Sequence, residues 1–488
     1  MRTQTIPIWI LSACLLFSGC APLLAAREAE LDLPAHYPQQ PATPDNSAAT
    51  AWDVFMADPT LIELIDTALA HNQEIKILRQ EIQLAQNEVG ARSGELLPFV
   101  RLKGGAELSA FNHRALNPRF PQLTAEGELE LPEADEDLPG LSLGAYLNWE
   151  LDVWQRLRQR RDAAQLKFLA AREGQTFMVT RLVAEIAVNY YDLLALDNKL
   201  LQLQNSIQIQ QEILAIIQKL QQAARANALA VKRFEAEVQK NQSQIYQIRQ
   251  TIAETENKLN YLLGRQPRPI LRQAERFASL QIKALSGGLP SQLLINRADV
   301  RQAEHRLVAS KLDLAAARTR FYPSFDMNAG LGYQAFNPMY LASNPQALSY
   351  NLAVEMHFPL VNQSAVAAEY QNASAEQIQA AYLYEQTLLK AYQEVADQLA
   401  RIRNLGESYR LKSQQVENLN RSIEMARDLF RYARADYMEV LLTQREAIDA
   451  RMELIETRQE QLHAMVELYQ ALGGGWQARQ AAGMDSGG

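Results

Sequence analysis

Four segments of the chain alternate apolar and polar positions with a period of two. They cover residues 99–111, 141–151, 325–334 and 348–358. Such alternation is typical of a strand with one apolar face, and about ten residues is the strand length that crosses a bilayer obliquely. Strands of soluble sheets average about five or six residues. We therefore predict four membrane strands, with a soluble four-stranded sheet that has one wet face as the alternative.

Aromatic side chains are concentrated around the third and fourth of these strands, where 8 of 38 residues are aromatic against 8% in the whole chain. Aromatic belts mark the membrane–water interfaces of outer-membrane barrels, so the enrichment favours the membrane interpretation. The residues are Phe321, Tyr322, Phe325, Tyr333, Phe336, Tyr340, Tyr350 and Phe358.

Apolar residues at helical spacing predict helices over residues 61–97, 155–223, 229–264, 291–321 and 363–432. The two longest lie in stretches of 127 and 129 residues without proline, and an interior proline would cost a helix about 3 kcal/mol. Each long helix extends on the order of 100 Å, about twice the length of the others. We expect two short helices stacked end to end to match one long helix in a wet-faced coiled coil.

The chain contains an internal repeat. Residues 224–226 recur as 433–435, and residues 258–264 match 467–473, both 209 positions later. Several matches at one offset indicate duplication. Each half is predicted to contain a helix, two strands, a very long helix and a shorter helix. The predicted organisation is a signal peptide (1–19), a lipidated tether (20–60), a first repeat (61–264), an equatorial linker (265–290), a second repeat (291–475) and a tail (476–488).

The N-terminus predicts export and lipidation. Arg2 precedes an apolar run that ends in Phe17-Ser18-Gly19-Cys20, and small residues before a cysteine at this depth are typical of a bacterial lipoprotein signal. Cleavage before Cys20 would leave its thiol to carry lipid and would discard Cys14. An ordinary signal peptide with a chance cysteine is the alternative.

Four strands cannot span a membrane alone, because their two outer edges would present unpaired N–H and C=O groups to hydrocarbon. Two copies would give eight strands, whose interior side chains fill the lumen, and three would give twelve strands with room for water. The predicted fold is therefore mixed α and β: long coiled-coil helices with a membrane β-barrel of four strands per chain, completed in a homotrimer.

Composition argues against several other functions. The chain has 48 Lys and Arg against 56 Asp and Glu, so we expect no nucleic-acid partner. Both cysteines lie within the first 20 residues, and none of the six histidines is at metal-site spacing, so we expect no metal or cofactor and no enzymatic activity. Seven acids between Glu126 and Asp137 predict a solvated extracellular loop, with a weak divalent-cation site as the alternative.

The chain resembles the TolC-like outer-membrane efflux factors, especially their lipoprotein branch. The matching segments are residues 148–154, residues 296–304, where Arg297-Ala298-Asp299 replaces the family's Arg-Pro-Asp, and residues 471–476. The resemblance implies a trimeric duct in the outer membrane of a Gram-negative bacterium. It also implies a helical barrel in the periplasm that docks a periplasmic adaptor protein and an inner-membrane efflux transporter.

In this family the turns corresponding to residues 224–231 and 433–440 form the periplasmic tip. Family members usually start each turn with glycine, where this chain has Ala224 and Ala433; alanine tolerates positive φ poorly, which argues against the usual turn conformation. Some family members use an acid at the position of Glu439 in a constriction ring, so the resemblance implies that Glu439 contributes to such a ring, with a solvated surface charge as the alternative. Tip salt bridges are expected from the charged residues of the turns, with solvated surface charges as the alternative. The charged residues of the two turns are Arg225, Arg434 and Asp436.

The leading functional prediction is an exit duct that passively conducts small molecules such as drugs. The duct of a type I protein secretion system has the same architecture and is one alternative. A periplasmic adaptor or structural coiled-coil lipoprotein, a rod without a passage, is the other. The 11 methionines are scattered and do not support a copper-export function.

Overall fold

A computed structural model describes residues 24–30, 32–38, 45–109, 122–123, 129–130, 138–280, 285–335, 348–358, 363–432 and 434–474. The chain divides into two compact units. The strand unit comprises Met1–Arg27, Leu84–Phe168 and Leu307–Ala380, and the helix unit comprises Glu28–Gln83, Leu169–Arg306 and Ala381–Gly488.

The described residues are mostly helical. The helices are α1 (Trp52–Met56), α2 (Pro59–His71), α3 (Gln73–Gly94), α4 (Arg156–Gln222), α5 (Ala228–Leu262), α6 (Leu293–Asn296), α7 (Ala298–Arg318), α8 (Gln363–Arg431) and α9 (Tyr437–Ala471). Helices α4 and α8 have 67 and 69 residues and lie within one residue of the bounds predicted from the proline-free stretches. None of the described helices is both long and apolar enough to cross a membrane.

Two of the shorter helices predicted as single pieces are interrupted. The prediction over 61–97 is wrong at Asn72, whose backbone is not helical, with ψ of 132°, and which separates α2 from α3. Its side chain accepts from Ile75 N at 3.1 Å and donates to Leu262 O at 2.8 Å. The prediction over 291–321 is wrong at Arg297, which is extended with ψ of 118° between α6 and α7. The apolar pattern of the sequence gives no sign of these helix breaks at polar residues.

Arg297 is held at its break by acceptor oxygens of three residues in the helix unit. Its guanidinium contacts both Asp299 oxygens at 3.0 and 2.7 Å, Glu394 Oε2 at 2.6 Å and Ala471 O at 3.1 Å. The side chain is only 5% exposed, and the paired acids allow its charge to be buried. The Arg-Ala-Asp segment therefore fixes the entry of α7 and joins it to α8 and the end of α9.

The strands form a four-stranded antiparallel sheet in the order β1-β4-β5-β6, which confirms a mixed fold of long helices and a small sheet. They are β1 (Phe99–Ser109), β4 (Leu138–Leu151), β5 (Ser324–Ala335) and β6 (Leu348–His357). Two short strands, β2 (Gln122–Leu123) and β3 (Leu129–Glu130), pair with each other in the connection between β1 and β4. Within the described residues, β1 and β6 each pair on one side only.

The main core lies in the helix unit and is built from α1, α2, the middle of α4 and the ends of α5 and α9. Phe55 stacks on Tyr469 with ring centroids 4.1 Å apart. Arg272 connects this region to α4 and α5 through Asp197 Oδ1 at 2.9 Å and through Glu256. The largest fully buried side chains of this core are Trp52, Leu61, Ile65, Ile186, Tyr190, Tyr191, Leu193 and Leu194.

Candidate functional site: sheet faces and hairpin tips

The strand register gives the sheet one apolar face. Side chains two residues apart share a face of a strand, and the observed pairings align the predicted apolar positions across all four strands. Many of these side chains are exposed in the single chain. The aligned rows are Val100–Leu147–Ala329–Leu352, Leu102–Ala145–Leu331–Tyr350 and, across β4 to β6, Trp149–Met327–Val354 and Leu151–Phe325–Met356.

The opposite face of the sheet is polar. Asn148 and Asn328 pair across β4 and β5, and Asn148 Nδ2 donates to Asn328 Oδ1 at 2.6 Å. An acidic row, formed by Glu150, Asp326 and Glu355, crosses β4, β5 and β6 near their helix-side ends. The polar face suits contact with water, and the apolar face suits contact with hydrocarbon.

Aromatic residues gather where β4 meets α4. Trp154 Nε1 donates to Pro323 O at 2.7 Å, and its ring lies 5.0 Å from that of Tyr322. Trp149 Nε1 donates to Leu96 O at 3.0 Å. Side chains with an apolar ring and a polar tip suit a membrane–water interface. Two members of the predicted aromatic cluster, Phe336 and Tyr340, lie outside the described residues.

The first hairpin tip ends α4 with a Schellman motif. Ala224 has φ of 55°, its N–H donates to Gln221 O at 2.9 Å, and Arg225 N donates to Leu220 O at 2.8 Å. The left-handed conformation normally favours glycine at this position. The expectation that alanine argues against this conformation is wrong for Ala224, because the two capping bonds hold the residue in place.

The second tip repeats part of this motif 209 residues later. Arg434 N donates to Leu429 O at 2.8 Å, which corresponds to the bond between Arg225 and Leu220. Ala433, the counterpart of Ala224, lies outside the described residues. The helices that follow the two turns also start alike. Asn227 accepts from Ala230 N at 2.8 Å, and Asp436 accepts from Tyr437 N at 2.6 Å.

An apolar cluster lies behind the two turns and joins α4, α5, α8 and α9. Two pairs of its members, Ile217 with Ala426 and Val231 with Val440, occupy equivalent positions at the offset of 209. The cluster fixes one hairpin against the other within the helix unit. Its members are Ile213, Ile217, Ala230, Val231, Phe234, Ala426, Val440 and Leu441.

The predicted tip residues do not form salt bridges with one another. Arg225, Arg434, Asp436 and Glu439 are all exposed, and the structure shows no ion pair for any of them among the described residues. Asp436 instead caps α9, a role that the Asn227 and Asp436 positions signal in the sequence. Glu439 lies in the first turn of α9, where its negative charge interacts favourably with the positive end of the helix dipole.

Glu439 and its repeat counterpart differ in environment. Ala230 is fully buried in the tip cluster, whereas Glu439 is exposed. The equivalent positions therefore do not present the same surface. The predicted lipidation residue, Cys20, and most of the acidic loop over 126–137 lie outside the described residues.

The described part of the N-terminal segment runs along α8. Leu24 N donates to the Tyr370 hydroxyl at 3.1 Å, and the backbone N–H and C=O of Arg27 both bond the Gln377 amide at 2.8 Å. In the helix unit, Tyr37 stacks on Tyr392 at 5.3 Å. Burial raises the pKa of the Tyr37 hydroxyl far above its usual value. The described part of the tether predicted over residues 20–60 is thus anchored on α8 at several points.

Comparison with known proteins is consistent with this architecture. Residues 64–265 and 289–474 match the family of outer membrane efflux proteins. The chain is 26% identical to the cation efflux system protein CusC of Escherichia coli over 89% of its length and 90% of that protein. It is 27% identical to the solvent efflux pump outer membrane protein SrpC of Pseudomonas putida over 98% and 100%.

A crystal structure of CusC has the same fold, with a TM-score of 0.81 and 23% identity over 92% of this chain and 99% of that one. The family match covers most of the chain and includes both helical hairpins and all four strands of the main sheet. The chain therefore belongs to the outer membrane efflux protein family.

Proposed function

We propose that this chain is the outer-membrane exit duct of a tripartite efflux system and works as a homotrimer with a periplasmic adaptor protein and an inner-membrane transporter. The observation that carries the proposal is a sheet with one apolar face and two outer edges that have no partner among the described residues. Three copies joined edge to edge would satisfy those edges and enclose a water-filled barrel of twelve strands.

The test is the state of the protein in outer-membrane fractions. A closed β-barrel trimer should migrate on a semi-native gel as one band that converts to monomer only on heating. Migration as a monomer without heating, or recovery in the soluble periplasmic fraction, would contradict the proposal. A soluble adaptor or coiled-coil rod would behave in the second way.

The paired helices support a duplicated periplasmic part. Helices α4 and α8 differ by two residues in length, and α5 and α9 have 35 residues each. The repeated turn bonds and N-caps add matches at the same offset of 209. In a trimer, two hairpins per chain would supply a ring of six around the duct, and their exposed turns would be the surface offered to the adaptor.

The tether supports lipidation at Cys20. Cys20 precedes Leu24 by four residues, and four residues span at most about 14 Å, so the chain could carry a lipid on Cys20 no farther than this from the Tyr370 contact. Tyr370 is near the start of α8, which follows β6. A lipid on Cys20 would therefore reach the same leaflet as the helix-side ends of the strands. Cys20→Ser should abolish lipid labelling while leaving the barrel inserted, and mass spectrometry that finds an unmodified Cys20 would contradict lipidation.

The tip supplies a candidate gate. On a threefold axis, three copies of Glu439 would surround the opening, and such a ring would attract cations and disfavour anions. Arg434 would hold a neighbouring helix in the closed state until the adaptor replaces that contact. The exposure of both side chains supports this role, because neither has an ion-pair partner within the described chain.

The relatives are named for chemically different cargos, cations and solvents, at nearly the same identity to this chain. We infer that the duct conducts small molecules passively and leaves their selection to the inner-membrane transporter. Expressed with two different transporters and their adaptors, the duct should support export of either cargo. Export of only one cargo despite complete assembly with both would contradict passive conduction. The names of the relatives favour efflux over type I protein secretion.

A further inference from the structure

In the proposed trimer β6 of one copy meets β1 of the next, and we propose that the register of this pair places Glu355 of β6 against Arg101 and Lys103 of β1 on the polar face. This seam rests on the proposed trimer and specifies how its copies join. It would turn two exposed edges of unequal charge into one continuous ladder.

The strand directions permit this pairing. Neighbours in the order β1-β4-β5-β6 are all antiparallel, so β6 of one copy and β1 of the next also run antiparallel when identical copies follow one another around a ring. The strands are 10 and 11 residues long. A ladder between them can therefore run along nearly their whole length.

The two faces of the sheet restrict the register of the seam. A shift by one residue would exchange the apolar and polar faces, so only shifts by two residues are allowed. The alignment that pairs all of β6 while keeping the faces puts Phe99 opposite His357 and Arg101 opposite Glu355. The next allowed alignment puts Lys103 opposite Glu355 and loses one pair. In both, the acid meets a cation.

This arrangement also has the strand stagger that a barrel requires. Within one copy, Arg101 and Asn351 lie in the same row across the sheet. A ring without stagger would therefore place Arg101 of the next copy opposite Asn351. Pairing Arg101 with Glu355 shifts each copy by four residues. For four strands per copy, this is one residue of shear per strand, the ratio that gives a tilt of about 36° in the eight-stranded parallel barrel.

The charges of the two edges are complementary. The acidic row of Glu150, Asp326 and Glu355 ends at the free edge of β6. Arg156 neutralises Glu150 through a contact of 2.6 Å. Asp326 and Glu355 have the His357 imidazole beside them, at 3.7 and 3.6 Å. No Arg or Lys of the described chain pairs with either acid.

The opposite edge carries the missing cations. Arg101 and Lys103 lie on the polar face of β1, both are exposed, and neither has an ion-pair partner among the residues that the structure describes. Opposite charges facing each other across strands are stabilising and like charges are not. Pairing β6 with β6 would bring acids together, and pairing β1 with β1 would bring cations together. The charges therefore favour head-to-tail pairing, which closes into a ring.

Cysteine cross-linking tests the seam directly. The natural cysteines, Cys14 and Cys20, are remote in sequence from both strands. Directly opposed residues of an antiparallel pair have Cα atoms about 4.5–5.5 Å apart, within disulfide range. Within one chain, β1 and β6 are three strand spacings apart, or about 14 Å, so a disulfide between them must join two copies.

Glu355→Cys combined with Arg101→Cys should give covalent dimers and trimers on a non-reducing denaturing gel, and Lys103→Cys should give them in lower yield. Leu102→Cys with Glu355→Cys is the matched control and should give none, because Leu102 lies on the other face. A heat-modifiable trimer without cross-links at either cation would overturn the seam and leave the trimer standing. An unmodified parent that forms no trimer would instead overturn the proposed function.

Charge exchange provides a second measurement that does not require cysteine. Glu355→Arg should lower the temperature at which the trimer dissociates on a semi-native gel, and adding Arg101→Glu should restore much of the loss. If the double variant is no more heat-resistant than Glu355→Arg alone, the two residues do not face each other and the seam is wrong.

Discussion

At the scale of single residues, the tip shows how local hydrogen bonds overrule a propensity. Ala224 adopts φ of 55° although left-handed backbone costs a non-glycine residue roughly 1–2 kcal/mol. The offsetting terms are the capping bonds of Ala224 and Arg225 and the burial of the cluster behind them. The sequence shows that glycine is missing, but it does not show that the surroundings hold alanine in glycine's conformation.

Ala224→Gly should stabilise the first tip by about 1 kcal/mol, because relief of the left-handed strain exceeds the added entropy of the unfolded chain. Ala215→Gly, at an exposed position inside α4, should instead destabilise by about 0.5–1 kcal/mol. Native-state hydrogen exchange of the amides around each site measures both changes. Equal destabilisation by the two substitutions would contradict a strained Ala224.

Glu439→Ala should lower the cation selectivity of channels recorded in planar bilayers, because the proposed ring would lose its three charges. Glu446→Ala, which removes another exposed acid from α9, should leave selectivity near that of the parent. Arg434→Ala should raise the closed-state conductance. Unchanged selectivity in Glu439→Ala would mean that this side chain faces away from the passage.

At the scale of elements, periodicity and proline placement predict most of the fold. Alternation located the four long strands within a few residues, and the proline-free stretches located α4 and α8. The breaks at Asn72 and Arg297 were missed because they depend on side chains that bond distant parts of the chain, Leu262 in one case and Glu394 and Ala471 in the other. Tertiary hydrogen bonds of this kind leave no periodic signal.

Asn227→Ala and Asp436→Ala should each weaken the first turn of the following helix by about 0.5–2 kcal/mol, because each removes an N-cap acceptor. Hydrogen exchange in the first turns of α5 and α9 reports the loss. Asn227→Ser and Asp436→Asn retain an acceptor and should stay close to the parent. If the alanine variants exchange no faster than these controls, capping does not stabilise the tips.

Leu147→Pro should abolish assembly, because β4 has a partner on each side and proline removes a ladder donor. Two further proline substitutions, at Leu352 and at Ala353, test whether β6 is paired on both sides. Backbone N–H groups of successive strand residues point to opposite sides, so the N–H of one of these two residues points away from β5. If β6 is paired on both sides, both prolines should prevent trimer formation, with Leu352→Ala as the control. Normal assembly of either proline variant would indicate a free edge.

At the scale of the whole molecule, the sheet is incomplete as a single chain. Its apolar face suits lipid and its polar face suits water, but its two edges have no partner strand within the described part of the chain. The sequence predicts this incompleteness because the four segments of membrane-length alternation are too few to form a barrel alone. The residues that would join the copies were not predicted, since the acidic row and the two cations become neighbours only once the register of the sheet is known.

The most direct measurement of the central claim is the conductance of the purified trimer in planar lipid bilayers. A twelve-stranded barrel that continues into a helical passage should insert and produce discrete conductance steps, and the assembly-defective Leu147→Pro variant should produce none. A heat-modifiable trimer that inserts into the bilayer yet conducts no ions, even with Arg434→Ala at the tip, would contradict the account of this chain as an exit duct.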